Sequence, residues 1–134
     1  MYTIPEIRDI EIEGSSQCFA CGKDNPAGLN LEIEWNGEET RAVFEAREMF
    51  QGGHGWLHGG ITTCAMDEAM TWTAYRAGAQ NVTARINVRF RKMVPLGKKY
   101  IITCRVTRKT SRIIETCLLY TSPSPRDRTR SRMP

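Results

Sequence analysis

The hydrophobic pattern of this chain changes period twice, and that change limits the folds open to it. Leu29, Leu31, Ile33 and Trp35 alternate with Asn30, Glu32 and Glu34, the period-two signature of a half-buried strand. Asn36-Gly37 supplies a hairpin turn, and Ala42, Phe44 and Ala46 line one face of a second strand. From Ile61 the period becomes helical: Ile61, Cys64, Ala65, Ala69 and Trp72 recur at helix spacing as far as Gly78, a C-terminal stop. This is the one long helix the pattern predicts. Val82, Ala84, Ile86, Val88 and Phe90 then alternate with Thr83, Arg85, Asn87, Arg89 and Arg91, the cleanest period-two run in the chain. Pro95-Leu96-Gly97 turns into a strand over 100–107, and Lys109-Thr110-Ser111 turns into another opening at Arg112–Thr116. The predicted order is strand, strand, helix, strand, strand, strand. That is an α+β architecture, one long central helix packed on a mostly antiparallel sheet. A sheet covered on one face explains why its strands alternate instead of being apolar throughout.

With 134 residues, 40% of them hydrophobic, the chain suits one domain and not two. No apolar run approaches the roughly 18 residues of a membrane helix, so no membrane span is expected. Met1–Glu6 lacks the basic and apolar regions of a signal peptide, which together with unpaired cysteines points to the cytoplasm. The net charge is +4, but Arg126, Arg128, Arg130 and Arg132 against Asp127 hold most of it. A nucleic-acid partner would rest on this tail alone, and none is expected. Cys117–Asp127 back-translates to DNA that resembles a transposase-type sequencing adapter. On that reading 117–134 is a non-native tail, the natural protein continues past Thr116, and the last strand is cut short. A disordered basic extension fits the same composition. The expected divisions are an N-terminal segment and turn-rich entry loop (1–28), a domain incomplete at its C-terminal end (29–116), and the tail (117–134).

The chemistry concentrates where the period changes. Residues 51–60, Gln-Gly-Gly-His-Gly-Trp-Leu-His-Gly-Gly, are half glycine and lead straight into the helix. Glycine lets a substrate approach the backbone closely. The first-turn N–H groups have no intrahelical acceptor, so they point at whatever oxygen sits beyond the helix end. Asp67 shares a stripe with Gly60, Thr63, Thr71 and Ala74 at about 100° per residue. The Ile61-Ala65-Ala69-Trp72 stripe is expected to meet the sheet instead. A carboxylate beside a small-residue groove, near an electropositive helix start, suits attack on a polarised carbonyl. An aspartate on a solvated helix face, with the glycines serving only the turn, fits the same spacing.

Two further clusters have more than one reading. Cys18-x-x-Cys21 has zinc-ligand spacing, but a zinc site usually takes four ligands and the chain has no second such pair. No metal is expected; two small residues packing the entry loop fit, with a redox pair or a half-site shared between subunits as alternatives. Arg89, Arg91, Lys92, Lys98 and Lys99 suit a solvated sheet face or a phosphate contact. Trp56, Met66, Met70, Trp72 and Tyr75 suit either the core or the lining of an acyl pocket.

Gly55-x-x-His58-Gly59-Gly60-Ile61 followed by Asp67-Glu68-Ala69 resembles the signature of the hotdog-fold acyl-CoA thioesterases, specifically the PaaI-like group. Cys18-x-x-Cys21-Gly22-x-x-Asn25-Pro26-x-Gly28-Leu29 is similar to a subset of that group, as is Thr83–Phe90 before Val94-Pro95-Leu96-Gly97. The likeness covers residues 17–116. It implies hydrolysis of an acyl-CoA thioester, with coenzyme A as part of the substrate and no other cofactor, in a homodimer or homotetramer with active sites at the subunit interface. By this resemblance Asp67 is general base or nucleophile, the Gly60 N–H holds the thioester oxygen beside Gly59, and His58 shapes the loop. Thr83 positions water, from the other subunit. Some relatives place an Asn or Gln shortly before the His-Gly-Gly. Here Gln51 is the nearest amide, with His54 as a substitute, and Arg89 and Arg91 are the candidates for the CoA phosphates. A non-catalytic acyl-CoA binding module and a hotdog enoyl-CoA hydratase or dehydratase are the alternatives within the same fold.

Overall fold

In the computed structural model, which describes residues 13–78, 82–83, 85–109, 114–121 and 131–132, the entry loop is held by its own backbone. Gly22 N–H donates to Cys18 O (2.8 Å), Asp24 N–H to Ser16 O (2.9 Å) and Leu29 N–H to Phe19 O (2.7 Å). Leu29 and Leu31 are already in the core before the first strand begins. That strand, β1 (Glu32–Trp35), turns at Asn36-Gly37 into β2 (Glu39–Glu45). The Asn36 side-chain oxygen accepts from the Glu38 and Glu39 N–H groups, and Gly37 takes a positive φ of 99°, which an unbranched glycine adopts without strain. As expected, Ala42, Phe44 and Ala46 are buried.

A 3-10 turn (Glu48–Phe50) and the glycine-rich loop lead into α1 (Gly59–Arg76), the one α-helix among the described residues. After it come β3 (Lys99–Lys109), β4 (Ile114–Thr121) and β5 (Ser131–Arg132). The five strands form one sheet in the order β1-β2-β3-β4-β5, every pair antiparallel. The α+β reading thus holds. Tyr100, Ile102 and Cys104 of β3 join Phe44 and Ala42 of β2 beneath α1. The Thr73 and Thr40 hydroxyls share a hydrogen bond of 2.8 Å between helix and sheet.

Two expectations need revision. Residues 82–83 and 85–90, for all their alternation, form no strand; Val82 and Phe90 are exposed. A strand needs a neighbour for its backbone N–H and C=O groups, and β4, the strand beyond β3, already has β5 on its far side. The helix meets the sheet through Thr62, Ala65, Met66, Ala69 and Thr73, with Ala74 also buried, whereas Ile61 and Trp72 are half-buried. Threonine and alanine dominate this face, and the Thr73 hydroxyl reaches that of Thr40 on the sheet. Met66 takes the core side of its two readings. β4 runs through Thr116, which pairs with Val106, and on to Cys117, which pairs with Arg105. Ala84, the turn at Thr110-Ser111, the segment 1–12 and most of the tail lie outside the described residues.

Candidate active site

The loop before α1 is tied at both margins. Gln51 bridges to Leu57 and Trp56 to Pro95, while Leu57 N–H donates to Val94 O (2.8 Å) and His58 N–H to Phe50 O (2.9 Å). Leu57 is buried and anchors the loop, leaving Trp56, His58, Gly59 and Gly60 at the surface. The helix start is therefore fixed in place yet open to solvent.

His58 is the N-cap of α1: its Nδ1 accepts from the Gly60 N–H at 2.8 Å. That bond places the ring proton on Nε2, so the imidazole presents a donor outward. It also occupies the amide that the resemblance assigned to the thioester oxygen. The Gly59 N–H, one position earlier, has no acceptor among the described residues. A Cβ at Gly59 would lie 3.6 Å from the Phe90 ring, in ordinary contact, whereas one at Gly60 would press on the His58 ring at 3.0 Å. The open donor of this turn is thus Gly59, and Gly60 serves the cap.

Asp67 is half-buried on α1 and accepts a hydrogen bond from Thr83 Oγ1 to its Oδ1 at 2.5 Å. Helix and following segment come together at this point, with both partners in one chain, where the resemblance placed Thr83 on the other subunit. Seven residues of α-helix separate Gly60 from Asp67, about 10 Å along the axis. The remaining expected residues disperse. The Gln51 side-chain oxygen accepts from the Gly55 N–H (3.1 Å) and braces the loop; His54 is exposed on the same loop. Arg89 and Arg91 are exposed beyond Val88.

A second cluster lies on the neighbouring helix face. Glu68 Oε1 accepts from Cys21 Sγ (3.0 Å), Cys18 Sγ (3.8 Å) and Trp72 Nε1 (3.2 Å). Burial, then the hydrogen bond and charge of Glu68, push the Cys21 thiol from an ordinary 9.0 up to about 12. Cys64, one turn before Glu68, is raised by burial and by the same carboxylate. Linear spacing shows none of this, because Cys21 and Glu68 are far apart in the chain. The only local hint is the adjacency of Glu68 to Asp67.

Residues 54–121, half of the chain, match the family model of the thioesterase superfamily. An acyl-coenzyme A thioesterase, THEM5 of Mus musculus, is 28% identical over 101 residues, which are 74% of this chain and 36% of that protein; the chain thus spans about a third of its length. The solved PaaI protein of the Escherichia coli phenylacetic acid operon superposes with a TM-score of 0.69 at 15% identity, over 78% of this chain and 75% of that one. A Streptococcus mutans protein solved with acetyl CoA gives 0.69 at 15% identity, over 78% and 85%. No helix among the described residues is long and apolar enough to cross a membrane. Matching motif, helix-on-sheet architecture and family model agree: the chain belongs to the thioesterase superfamily and has the hotdog fold of PaaI-like proteins.

Proposed function

We propose that this chain hydrolyses acyl-CoA thioesters, with Asp67 as the general base and the α1 N-terminus as the carbonyl clamp. The observation that carries the reading is the Asp67–Thr83 hydrogen bond. Thr83 fixes one carboxylate oxygen and leaves Oδ2 to accept a proton from water. The hydroxide so formed adds to the thioester carbon, the Gly59 N–H and the His58 Nε2–H hold the developing oxyanion, and the C–S bond breaks, releasing the carboxylic acid and a CoA thiolate that takes back the proton held on Asp67. Donors at a helix start, already oriented, stabilise that charge without reorganising. The acetyl CoA in the Streptococcus mutans relative supports CoA as the leaving group.

Two copies of the chain are part of the proposal. A base and an oxyanion donor must both come within about 3 Å of one reacting group, and Gly59 and Asp67 stand about 12 Å apart along a single helix. Asp67 of one copy facing the Gly59 turn of another closes that gap. Residues 85–90, already patterned for a sheet, supply the pairing edge; Phe90 within them and Trp56 and Met93 around them are exposed.

The test is free-thiol release from a panel of acyl-CoA esters. Wild type turns over, and Asp67→Asn loses about 10²–10⁴-fold in kcat, the usual worth of a general base. Tight acyl-CoA binding without thiol release overturns the hydrolase reading in favour of a binding module. Hydration of an enoyl-CoA, read by absorbance, overturns it in favour of a hydratase.

A further inference from the structure

The Cys18-Cys21-Glu68 cluster is not used by the hydrolysis above. Its three donor atoms lie within 4.8 Å of one another, brought together by two elements remote in sequence. The loop half is rigidly built. Gly22, directly after Cys21, admits no side chain: a Cβ would lie 2.4 Å from Cys18 N and 2.5 Å from Ser16 O. The turn is wound that tightly because the Gly22 N–H folds back onto Cys18 O, and this sets both thiols on one side. The helix half is held by Trp72, whose indole N–H donates to Glu68 Oε1.

We propose that Cys18, Cys21 and Glu68 form a binding site for a soft divalent cation, zinc by preference, that clamps the entry loop to α1. Zinc–sulfur bonds of about 2.3 Å and a zinc–oxygen bond of about 2.1 Å in tetrahedral array put sulfur and oxygen about 3.6 Å apart. The observed 3.0 and 3.8 Å bracket that edge, so shifts of a few tenths of an ångström complete the geometry. Two thiolates select zinc over magnesium or calcium. Water takes the fourth position, since all three side chains are only half-buried and solvent reaches the open side. Binding exchanges the two S–H protons for the ion and releases both to the buffer. Trp72 keeps its hydrogen bond and orients the carboxylate from the outer shell. The site stands independently of the hydrolase reading.

The full chain is loaded with zinc sulfate, dialysed against metal-free buffer and assayed for metal by mass spectrometry. Wild type and Cys64→Ser retain about one zinc per chain, and Cys18→Ser, Cys21→Ser and Glu68→Gln retain less than about a tenth of that. Retention by all variants alike, or by none including wild type, overturns the proposal. A readout on wild type alone covers variants that fail to fold. Cobalt(II) in place of zinc gives thiolate-to-metal charge-transfer absorption, and zinc shields two of the five cysteines from a thiol reagent until a chelator is added. Cobalt binding without that absorption, or all accessible thiols reacting equally with and without zinc, overturns it.

Discussion

The entry loop keeps what its sequence promises, and the alternating residues 82–83 and 85–90 do not. The loop, broken by Gly22, Asn25-Pro26 and Gly28, has no regular pattern, yet its amides find carbonyls within a few residues or on its immediate neighbours. The later segment alternates without fault, yet its described residues, 82–83 and 85–90, form no strand and leave Phe90 exposed. Periodicity reports which side of a segment is apolar. It is silent on whether a partner for the backbone exists in the same chain. Local turns carry their partners with them; strands must find theirs elsewhere.

That contrast can be sharpened from the loop side first. In zinc-free protein, the Cys21 thiol at about 12 instead of 9.0 has a thiolate fraction about 10³-fold below that of a free thiol at neutral pH. The compensating rise in nucleophilicity leaves alkylation about 50-fold slower, which mass mapping after timed labelling will show. The same shift sets a pH trend. The folded thiol holds its proton more tightly than the unfolded one, so its contribution is complete below pH 9 and is lost as pH climbs from there towards 12. Next in size, Gly22→Ala forces a Cβ into the turn's own backbone and costs about 1–3 kcal/mol in denaturant unfolding; unchanged stability would show the turn to be looser than described.

On the other side, Asn87→Pro removes a backbone donor from the alternating segment. Self-association by sedimentation weakens about tenfold, a shift of about 1.4 kcal/mol comparable with one lost hydrogen bond, while the monomer's unfolding midpoint stays put. If the midpoint falls and association does not, the segment belongs to the chain's own core and the contrast collapses. The smallest effect is expected between the two regions. His58→Ala removes the cap of α1 and costs about 1 kcal/mol, and His58→Asn, a good capping residue, restores most of it.

Much of the architecture is legible in linear form. The alternation of Ile33 with Glu34, the face shared by Ala42, Phe44 and Ala46, the Asn36-Gly37 turn, and the helical period from Ile61 each depend on neighbours within a few positions. The Gly-rich loop and Asp67 are legible for the same reason. What escapes notice depends on distance. Of the stripe read by hydrophobicity, Ala65 and Ala69 are buried, but Ile61 and Trp72 give way to Thr62, Met66 and Thr73. Gly59 and Gly60 look interchangeable until the His58 ring claims one amide. Glu68 reads as an ordinary helix carboxylate until the entry loop delivers two thiols to it.

The Thr40–Thr73 bond between β2 and α1 acts as an index pin. Thr73 also donates to the Ala69 carbonyl at 2.7 Å, so its hydroxyl is engaged along the helix as well as across to the strand. Sliding α1 by one residue, or rolling it by a single step, would strand both hydroxyls in a dry interior, at about 1–3 kcal/mol each. The helix is thereby denied the small adjustments that an all-alkane contact would permit. Asp67, two turns upstream of Thr73, inherits that fixed bearing.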